Sequence, residues 1–316
     1  ITNIPLEGIL NDFETKLFNL TIKTRTKKFS TSAELLNSIF YDLKTKSLNS
    51  TLLGLSSGFY DLDSLTQGFQ KSDLIIIAGR PSMGKTALGL NIALNITKNS
   101  RLPILFFSLE MSKEQIMYRL LSMETNISQM KLKSGKLSQN DWSKLNKIVK
   151  ILSKLPIFID DSFNLSILDI RSKIKTIIFE QNNIGLIILD YLQLMQSSNN
   201  ERENRVQELS KITRSLKTLA REFNIPIIAL SQLSRNVENR IDKRPILSDL
   251  RESGSIEQDA DLVLMLHQNN QYNSNQPNEQ TLQITELLIA KQRNGPIGSI
   301  NLKFDQKCTK FFDINN

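Results

Sequence analysis

Short, almost wholly apolar runs alternate along this chain with longer stretches in which apolar residues recur every three or four positions. The short runs are typical of strands buried on both faces of a sheet, and the longer stretches are typical of amphipathic helices. Six such strands are predicted, at residues 74–78, 104–108, 157–160, 186–190, 227–231 and 262–266. The alternation predicts an α/β fold in which a mainly parallel sheet is covered by helices on both faces.

The connections between the strands carry their own signals. Ser166 is a predicted N-cap for a helix whose apolar residues share one face, and a second helix is predicted from Arg202 to Phe223. Residues 268–279 are rich in Asn and Gln without periodicity, which predicts a disordered surface loop. Two further strands, at residues 282–290 and 297–304, are joined by a Gly-Pro-containing turn and predict a C-terminal β-hairpin.

The first 30 residues have a different pattern. Ile9, Phe13, Leu17 and Leu20 fall on one face of a predicted helix, and a basic stretch from residue 23 to 28 follows it. We therefore expect a linker helix and basic linker over residues 1–30 and a compact domain over residues 31–316. Because an isolated helix of this length is marginally stable, its apolar stripe needs a partner surface.

Composition narrows the class of protein. The 316 residues include 40 Lys and Arg against 32 Asp and Glu, a net charge of +8 that modestly favours a polyanionic partner. Cys308 is the only cysteine, which excludes an internal disulfide and a cysteine-rich zinc site. No apolar run approaches the roughly 20 residues that span a bilayer, so no membrane partner is expected. The abundance of Asn, Ile and Lys is typical of an AT-rich genome and favours a plastid origin, with the bacterial cytoplasm as the alternative.

One octapeptide carries the strongest chemical signal. It matches the pattern G-x-x-x-x-G-K-[ST] and consists of Gly79, Arg80, Pro81, Ser82, Met83, Gly84, Lys85 and Thr86. The octapeptide lies between a predicted strand and a predicted helix, the context in which such a loop cradles phosphates. Lys85 would approach the β- and γ-phosphates, and the Thr86 hydroxyl would bind Mg²⁺. We therefore expect the protein to bind a nucleoside triphosphate such as ATP.

Polar residues follow three of the other strands. Asp190 ends an apolar run, as in a Walker B strand, and is a candidate Mg²⁺ ligand. Glu110 follows the strand at residues 104–108 and could orient an attacking water; a helix-capping role is the alternative. Gln232 ends another strand and could contact the γ-phosphate; a satisfied polar group at a strand end is equally compatible with the sequence. Because parallel strands end at one sheet edge, these side chains should lie near the phosphate loop.

Taken together, these motifs resemble those of DnaB-type replicative DNA helicases. The phosphate loop is followed, in the family's order, by Ser-Leu-Glu-Met at 108–111, Leu-Asp-Tyr-Leu-Gln at 189–193, Ala-Leu-Ser-Gln-Leu at 229–233 and Ala-Lys-Gln-Arg-Asn-Gly-Pro at 290–296. Most specific is the segment Asp-Leu-Arg-Glu-Ser-Gly-Ser-Ile-Glu-Gln-Asp-Ala-Asp at 249–261, which general RecA-like ATPases do not share. The resemblance runs from the first helix to Phe304.

The resemblance implies a RecA-like motor domain and assigns residue roles. Glu110 would activate water, Gln232 would sense the γ-phosphate, and Arg293 would be an arginine finger for the neighbouring subunit's site, with Lys291 beside it. Without the resemblance, Arg293 would be a solvated arginine in a hairpin. The resemblance further implies that Arg251, Glu252 and Gly254 belong to a loop that grips the backbone of single-stranded DNA.

The resemblance also implies an assembly. Six copies would form a ring around one DNA strand, hydrolyse ATP at their interfaces and travel 5′ to 3′, while the linker helix docks on the adjacent subunit. A primase and a helicase loader are the expected partners within a primosome, although the family's N-terminal helical domain, which contacts primase, is not represented. The alternative function is a RecA-like, ATP-dependent DNA-binding scaffold without helicase activity.

Overall fold

A computed structural model describes residues 31–48, 52–163, 165–195, 205–240, 242–250, 254–268 and 282–314 of the chain. The linker helix predicted within residues 1–30 lies outside these ranges, and so does most of the loop predicted over residues 268–279. The chain divides into two compact units, Ile1–Thr51 and Leu52–Asn316. The helix Ser32–Leu48 belongs to the first of these units.

The first unit contains helix α1, Ser32–Leu48. Its start is capped reciprocally: the Thr31 amide donates to Glu34 Oε2 at 3.1 Å, and the Glu34 amide donates to Thr31 Oγ1 at 3.3 Å. Several large apolar side chains of this helix are half or more exposed, namely Leu35, Leu36, Ile39, Phe40 and Tyr41. Such an uncovered apolar surface on a helix is typical of an element that packs against another molecule.

The second unit contains the remaining helices and the strands. Its helices are α2 (Tyr60–Thr66), α3 (Lys85–Ser100), α4 (Lys113–Thr125), α5 (Gln129–Ser134), α6 (Gln139–Leu152), α7 (Ile167–Gln181), α8 (Arg205–Phe223) and α9 (Gly254–Asp259). Its strands are β1 (Leu74–Gly79), β2 (Ile104–Ser108), β3 (Ile157–Asp160), β4 (Leu186–Asp190), β5 (Ile227–Gln232), β6 (Leu262–Gln268), β7 (Leu282–Gln292), β8 (Gly298–Asp305) and β9 (Lys310–Asp313).

The nine strands found within the described residues form one sheet in the order β3-β2-β4-β5-β1-β6-β7-β8-β9. The pairs from β3 to β6 are parallel, and β7, β8 and β9 extend the sheet in antiparallel fashion. The predicted mainly parallel α/β fold with a C-terminal hairpin is therefore confirmed. The sequence pattern did not predict β9, a four-residue strand too short to show a period.

Alternation along β1 explains the two apolar cores. Ile75 and Ile77 face one core together with α3 and α4, whereas Ile76 and Ala78 face the other core together with α7 and α8. The parallel strands are buried on both faces because helices cover each side, as their unbroken apolar runs indicate. Ser166 caps α7 as predicted, since its hydroxyl accepts from the Asp169 amide at 3.2 Å.

No helix among the described residues is long and apolar enough to cross a membrane.

Candidate nucleotide-binding site

The octapeptide forms the turn between β1 and α3, as the sequence predicts. Ser82 (φ 66°) and Gly84 (φ 88°) both adopt left-handed backbone conformations. A Cβ atom at Gly84 would lie 3.0 Å from the Phe311 ring, so both the backbone conformation and the available space favour glycine at this position. The loop therefore leads directly into the N-terminus of a 16-residue helix, where free amides and the helix dipole favour a phosphate.

Thr86 and Asp190 meet at this turn although 104 positions separate them in sequence. The Thr86 hydroxyl donates to Asp190 Oδ2 at 2.7 Å, and Asp190 Oδ1 is buried with no hydrogen-bond partner in the structure. Burial raises the pKa of Asp190 to about 6; Glu110 adds to the rise, while Thr86, Lys85 and Arg119 oppose it. Two hard oxygen donors side by side, one carrying an unused lone pair, fit the chemistry of a Mg²⁺ ligand set.

Lys85 lies beside this pair. Its ammonium donates to the Arg80 carbonyl at 3.2 Å. Burial lowers the pKa of Lys85 below its ordinary value, against the opposing effect of Asp190 and Glu110. A half-buried cation at the start of α3 is suited to bind the phosphates of a nucleotide, since their negative charge would compensate the cost of its burial.

A cavity of about 880 Å³ opens over the turn. Pro81, Ser82, Gly84, Lys85 and Thr86 line one side of it. The ends of neighbouring strands and helices supply its other walls, including Glu110, Gln115, Arg119, Gln129, Tyr191, Gln232 and Gln306. The structure therefore brings Glu110 and Gln232 to the phosphate loop, because β1, β2 and β5 end at the same edge of the sheet.

Not every residue of the octapeptide faces this cavity. The Arg80 guanidinium donates from Nε to Glu238 Oε1 at 3.0 Å and from Nη1 to the Leu233 carbonyl at 3.2 Å. Met83 packs against the apolar core, and Gly79 ends β1. Gly79, Arg80 and Met83 therefore shape the loop, and the Arg80 side chain ties it to the segment that follows β5.

Arg119 on α4 is a cavity residue that the sequence analysis did not single out. Its Nε is buried without a hydrogen-bond partner, and burial lowers the pKa of its guanidinium while Asp190 and Glu110 oppose that shift. Gln115, one turn earlier on the same helix, also lines the cavity. The sequence did contain a signal for this pair. Gln115 and Arg119 are four residues apart and so share a face of a helix, and that helix closely follows Glu110.

A second amide lies beside Gln232. Gln193, which follows Asp190 by three residues, donates to Ser231 Oγ at 3.0 Å and accepts from the Gln232 amide at 3.3 Å. The ends of β4 and β5 are thereby joined by side-chain hydrogen bonds next to the cavity. The arrangement fixes the backbone of Gln232 while its side chain lines the cavity.

Arg293 and Lys291 lie at the opposite ends of the parallel strands, where β1 begins. The Arg293 amide donates to the Asp261 carbonyl at 2.9 Å, and the Asp261 amide donates to the Leu74 carbonyl at 2.9 Å. Leu74 begins β1, whereas the phosphate loop follows its end, so the six-residue strand separates them by about 20 Å. Arg293 is therefore not part of the nucleotide cavity of its own subunit.

The proposed DNA-contacting residues are described only in part. Arg251 and Glu252 lie outside the described residues, and Gly254 is the first residue of α9. The residue preceding them, Leu250, forms an antiparallel bridge with Leu233. The segment thus begins next to Gln232, at the edge of the sheet that holds the cavity.

Comparison with known proteins adds a family context. A family model described as the DnaB-like helicase C terminal domain matches residues 54–313. The chain is 67% identical over 313 residues to a probable replicative DNA helicase of Trieres chinensis, covering 99% of this chain and 69% of that protein. It is 43% identical over 310 residues to the replicative DNA helicase DnaB of Geobacillus stearothermophilus, covering 98% of this chain and 67% of that protein.

Solved structures give the same result. An ATPase domain of known structure superposes with a TM-score of 0.82 at 36% identity, covering 91% of this chain and 100% of that chain. A DnaB-like replicative helicase, solved in a study of its interactions with primase, superposes with a TM-score of 0.82 at 34% identity, covering 98% of this chain and 74% of that chain.

Proposed function

This chain belongs to the family of DnaB-like helicase C-terminal domains and is an ATP-dependent motor of a replicative DNA helicase, and we propose that its nucleotide sites are completed between subunits of a hexameric ring. In this proposal the ring encloses single-stranded DNA and moves 5′ to 3′. The alternative of a DNA-binding scaffold that does not unwind has no support from these relatives, which carry the name replicative helicase.

Within one subunit, four side chains that line the cavity have roles in phosphoryl transfer. Lys85 and the amides of the phosphate loop bind the β- and γ-phosphates, and Glu110 orients the attacking water. Gln232 contacts the γ-phosphate. Arg119 adds a second cation on the same side, where it offsets the charge that develops on the transferred phosphoryl group.

Thr86 and Asp190 are the residues that would hold Mg²⁺. The buried, unpartnered Asp190 Oδ1 and the adjacent Thr86 hydroxyl support this assignment. When bound, the ion would neutralise charge on the β- and γ-phosphates. Asp190 and Thr86 already hold each other in place before it arrives, which lowers the cost of ordering the site.

Arg293 acts in trans as the arginine finger, with Lys291 beside it. The observation that carries this proposal is the location of Arg293 at the sheet edge opposite the phosphate loop, about 20 Å from it. From this location the guanidinium could reach a nucleotide only at the site of another copy. Arrangement of six copies head to tail would bring the Arg293 edge of one subunit to the cavity of the next.

Helix α1 supplies a further contact between copies in this proposal. An apolar groove of about 690 Å³ lies between α4, α5, α6 and β3, and its lining includes Met117, Tyr118, Leu121, Trp142 and Ile157. The exposed apolar side chains of α1, such as Ile39 and Phe40, have the chemistry to fill it in a neighbouring subunit. Docking of this kind would bury both surfaces together.

The remaining partners and the compartment follow from the relatives. We propose that the ring binds primase, as suggested by the study of a DnaB-like helicase with which this chain shares its fold. A helicase loader and a primosome are proposed from the family resemblance alone. A plastid origin is proposed from the similarity to a diatom protein and from the Asn, Ile and Lys bias of the sequence.

Mixing two inactive variants tests the shared site. Lys85→Ala should lose ATP hydrolysis, and Arg293→Ala should lose hydrolysis while still binding nucleotide. In a 1:1 mixture, about one interface in four pairs an intact phosphate loop with an intact finger, so about a quarter of the wild-type ATPase should return. Failure of the mixture to regain activity, although both variants assemble, would contradict sharing of the site.

Unwinding is measured in parallel on a forked duplex with a free 5′ tail. Hydrolysis stimulated by single-stranded DNA together with strand separation is expected of the motor. Stimulated hydrolysis without strand separation would instead favour the scaffold.

A further inference from the structure

The segment that carries the proposed DNA-binding loop is attached near both ends of strand β1. It begins at Leu250, which bridges to Leu233, and the Leu233 amide donates to the Gly79 carbonyl at 3.3 Å. It ends at Asp261, whose amide donates to the Leu74 carbonyl at the opposite edge. One end of the segment is therefore attached beside the subunit's own nucleotide cavity, and the other end is attached beside Arg293.

Lys291 holds the second end. Its ammonium donates to the carbonyls of Glu257 at 2.5 Å, Ala260 at 2.7 Å and Gln258 at 3.4 Å. The Glu257 and Gln258 carbonyls belong to the last turn of α9 and the Ala260 carbonyl directly follows it, where carbonyls have no partner within the helix and a cation is favourable. Because a lysine ammonium has three N–H donors, all three are in use.

Arg293 makes a second attachment but keeps donors in reserve. Its Nη2 donates to the Gln258 carbonyl at 2.8 Å, and its Nη1 lies 3.2 Å from Asp261 Oδ1. Asp261 is itself fixed, because its Oδ2 accepts from the Leu74 amide at 2.8 Å and from Lys217. A guanidinium has five N–H donors, and the side chain of Arg293 is 48% exposed, so it can reach a neighbour without leaving α9.

We propose that Lys291 is a positioning residue that couples the neighbouring subunit's nucleotide to the DNA-binding loop through the C-terminal end of α9. This inference rests on the proposed function, in which Lys291 and Arg293 face the neighbour's phosphates. Any hydrogen bond from Lys291 to such a phosphate replaces one that holds α9, because no donor is spare. The number of α9 carbonyls held by Lys291 therefore depends on whether the neighbour carries a triphosphate.

Linkage makes the effect measurable in both directions. If triphosphate at the interface changes the affinity for DNA by some factor, DNA changes the affinity for triphosphate by the same factor. Arg293 does not need to release α9, so Lys291 carries the exchange. Removal of the Lys291 donors should uncouple the two ligands rather than abolish the binding of either one.

The coupling factor of Lys291→Met tests the proposal. The affinity of the full chain for a fluorescent oligothymidylate is measured with a non-hydrolysable ATP analogue and with ADP, and the ratio is compared with that of the wild type. We expect a wild-type ratio of about 5 or more, falling close to 1 in Lys291→Met. Lys303→Met is the matched control, because Lys303 on β8 also donates to a backbone carbonyl, that of Ile314 at 2.8 Å, away from α9.

A wild-type ratio retained by Lys291→Met would overturn the proposal, whatever happens to its hydrolysis rate. A second measurement needs no variant. Hydrogen exchange of the wild-type peptide over residues 254–262 should change when the ATP analogue replaces ADP, and unchanged exchange there would also overturn it. Failure of the proposed function is distinguished by the mixing of Lys85→Ala with Arg293→Ala, which does not involve Lys291.

Discussion

At the scale of single residues, several partly or fully buried charges meet around the nucleotide cavity. Burial shifts the pKa of Lys85, Arg119 and Asp190 in the direction that favours the neutral form, and the nearby Glu110 carboxylate acts on all three. Buried charges without full pairing are costly in a protein and are typical of sites that bind a charged ligand. A nucleotide with its metal ion would supply the missing charges.

Removal of the Arg119 guanidinium should therefore slow hydrolysis more than it weakens binding. We expect Arg119→Ala to reduce the ATPase kcat by about 10- to 100-fold, because the cation would stabilise charge that develops in the transition state. The affinity for ADP should change much less. Steady-state kinetics and nucleotide titration measure the two quantities, and Arg221→Ala, an exposed arginine of α8, is the control. An unchanged kcat would exclude Arg119 from the site chemistry.

Asp73, which lies away from the nucleotide cavity, should make the stability of the fold depend on pH. Burial, followed by the charge of Asp261, raises the pKa of Asp73 to about 6, and Lys217 and Arg293 oppose the rise. In the unfolded chain the pKa of Asp73 is near 3.9. Between about pH 4 and 6 the folded state therefore binds a proton that the unfolded chain does not. Because of this difference, the free energy of unfolding falls as pH rises through that window. Above it, the ionised carboxylate is a cost to the folded state.

Asp73→Asn should remove that cost. We expect the variant to be more stable than the wild type at pH 8 by on the order of 1 kcal/mol, or about 2–4 °C in Tm, with the gain shrinking towards pH 4.5. Thermal melts across this range measure it, with Glu180→Gln on the exposed face of α7 as control. A difference in Tm that does not depend on pH would show that Asp73 is not the titrating group.

At the scale of elements, helix α1 differs from the helices of the second unit. Helices α3, α4, α7 and α8 pack their apolar faces on the sheet, whereas α1 has exposed Leu36, Ile39 and Phe40 on adjacent turns. Its capping box gives it a defined start, yet capping contributes only about 1 kcal/mol and does not replace tertiary packing. An apolar helix of this kind gains most of its stability from the surface on which it docks.

Disruption of this apolar surface should therefore affect assembly rather than the fold of the second unit. If the proposed ring forms, Phe40→Asp should shift it towards smaller species in light scattering, because a carboxylate cannot enter an apolar groove without a large desolvation cost. Nucleotide binding by each subunit should persist. Asn37→Asp adds the same charge to the same helix at a position that is already polar and serves as control. Identical masses for Phe40→Asp and the wild type would argue against docking of α1.

At the scale of the whole molecule, the strands of the sheet separate two groups of residues that are proposed to act on ATP. The phosphate loop, Glu110, Asp190 and Gln232 gather at one edge, and Arg293 with Lys291 lies at the other. The segment from Leu250 to Asp261 connects these edges. In the proposed ring, such a subunit would contribute half of each of two sites, and hydrolysis would depend on assembly.

Local features of the chain could be predicted from the sequence alone. Apolar runs of four or five residues marked the parallel strands, and the spacing of Gly79, Gly84, Lys85 and Thr86 marked the phosphate loop, because burial on both faces and a tight turn are properties of neighbouring residues. The family resemblance likewise depended on short motifs in order. These signals determined the fold class and the chemistry of one half of the site.

Only the tertiary structure decided which distant residues meet. The pairing of Thr86 with Asp190, the entry of Arg119 into the cavity and the three carbonyls held by Lys291 all depend on strand order and on how helices pack over the sheet. Periodicity records which face of an element is buried but not which element lies against it. The location of Arg293 opposite the phosphate loop arises in the same way, because it is set by the direction in which β1, β6 and β7 cross the sheet.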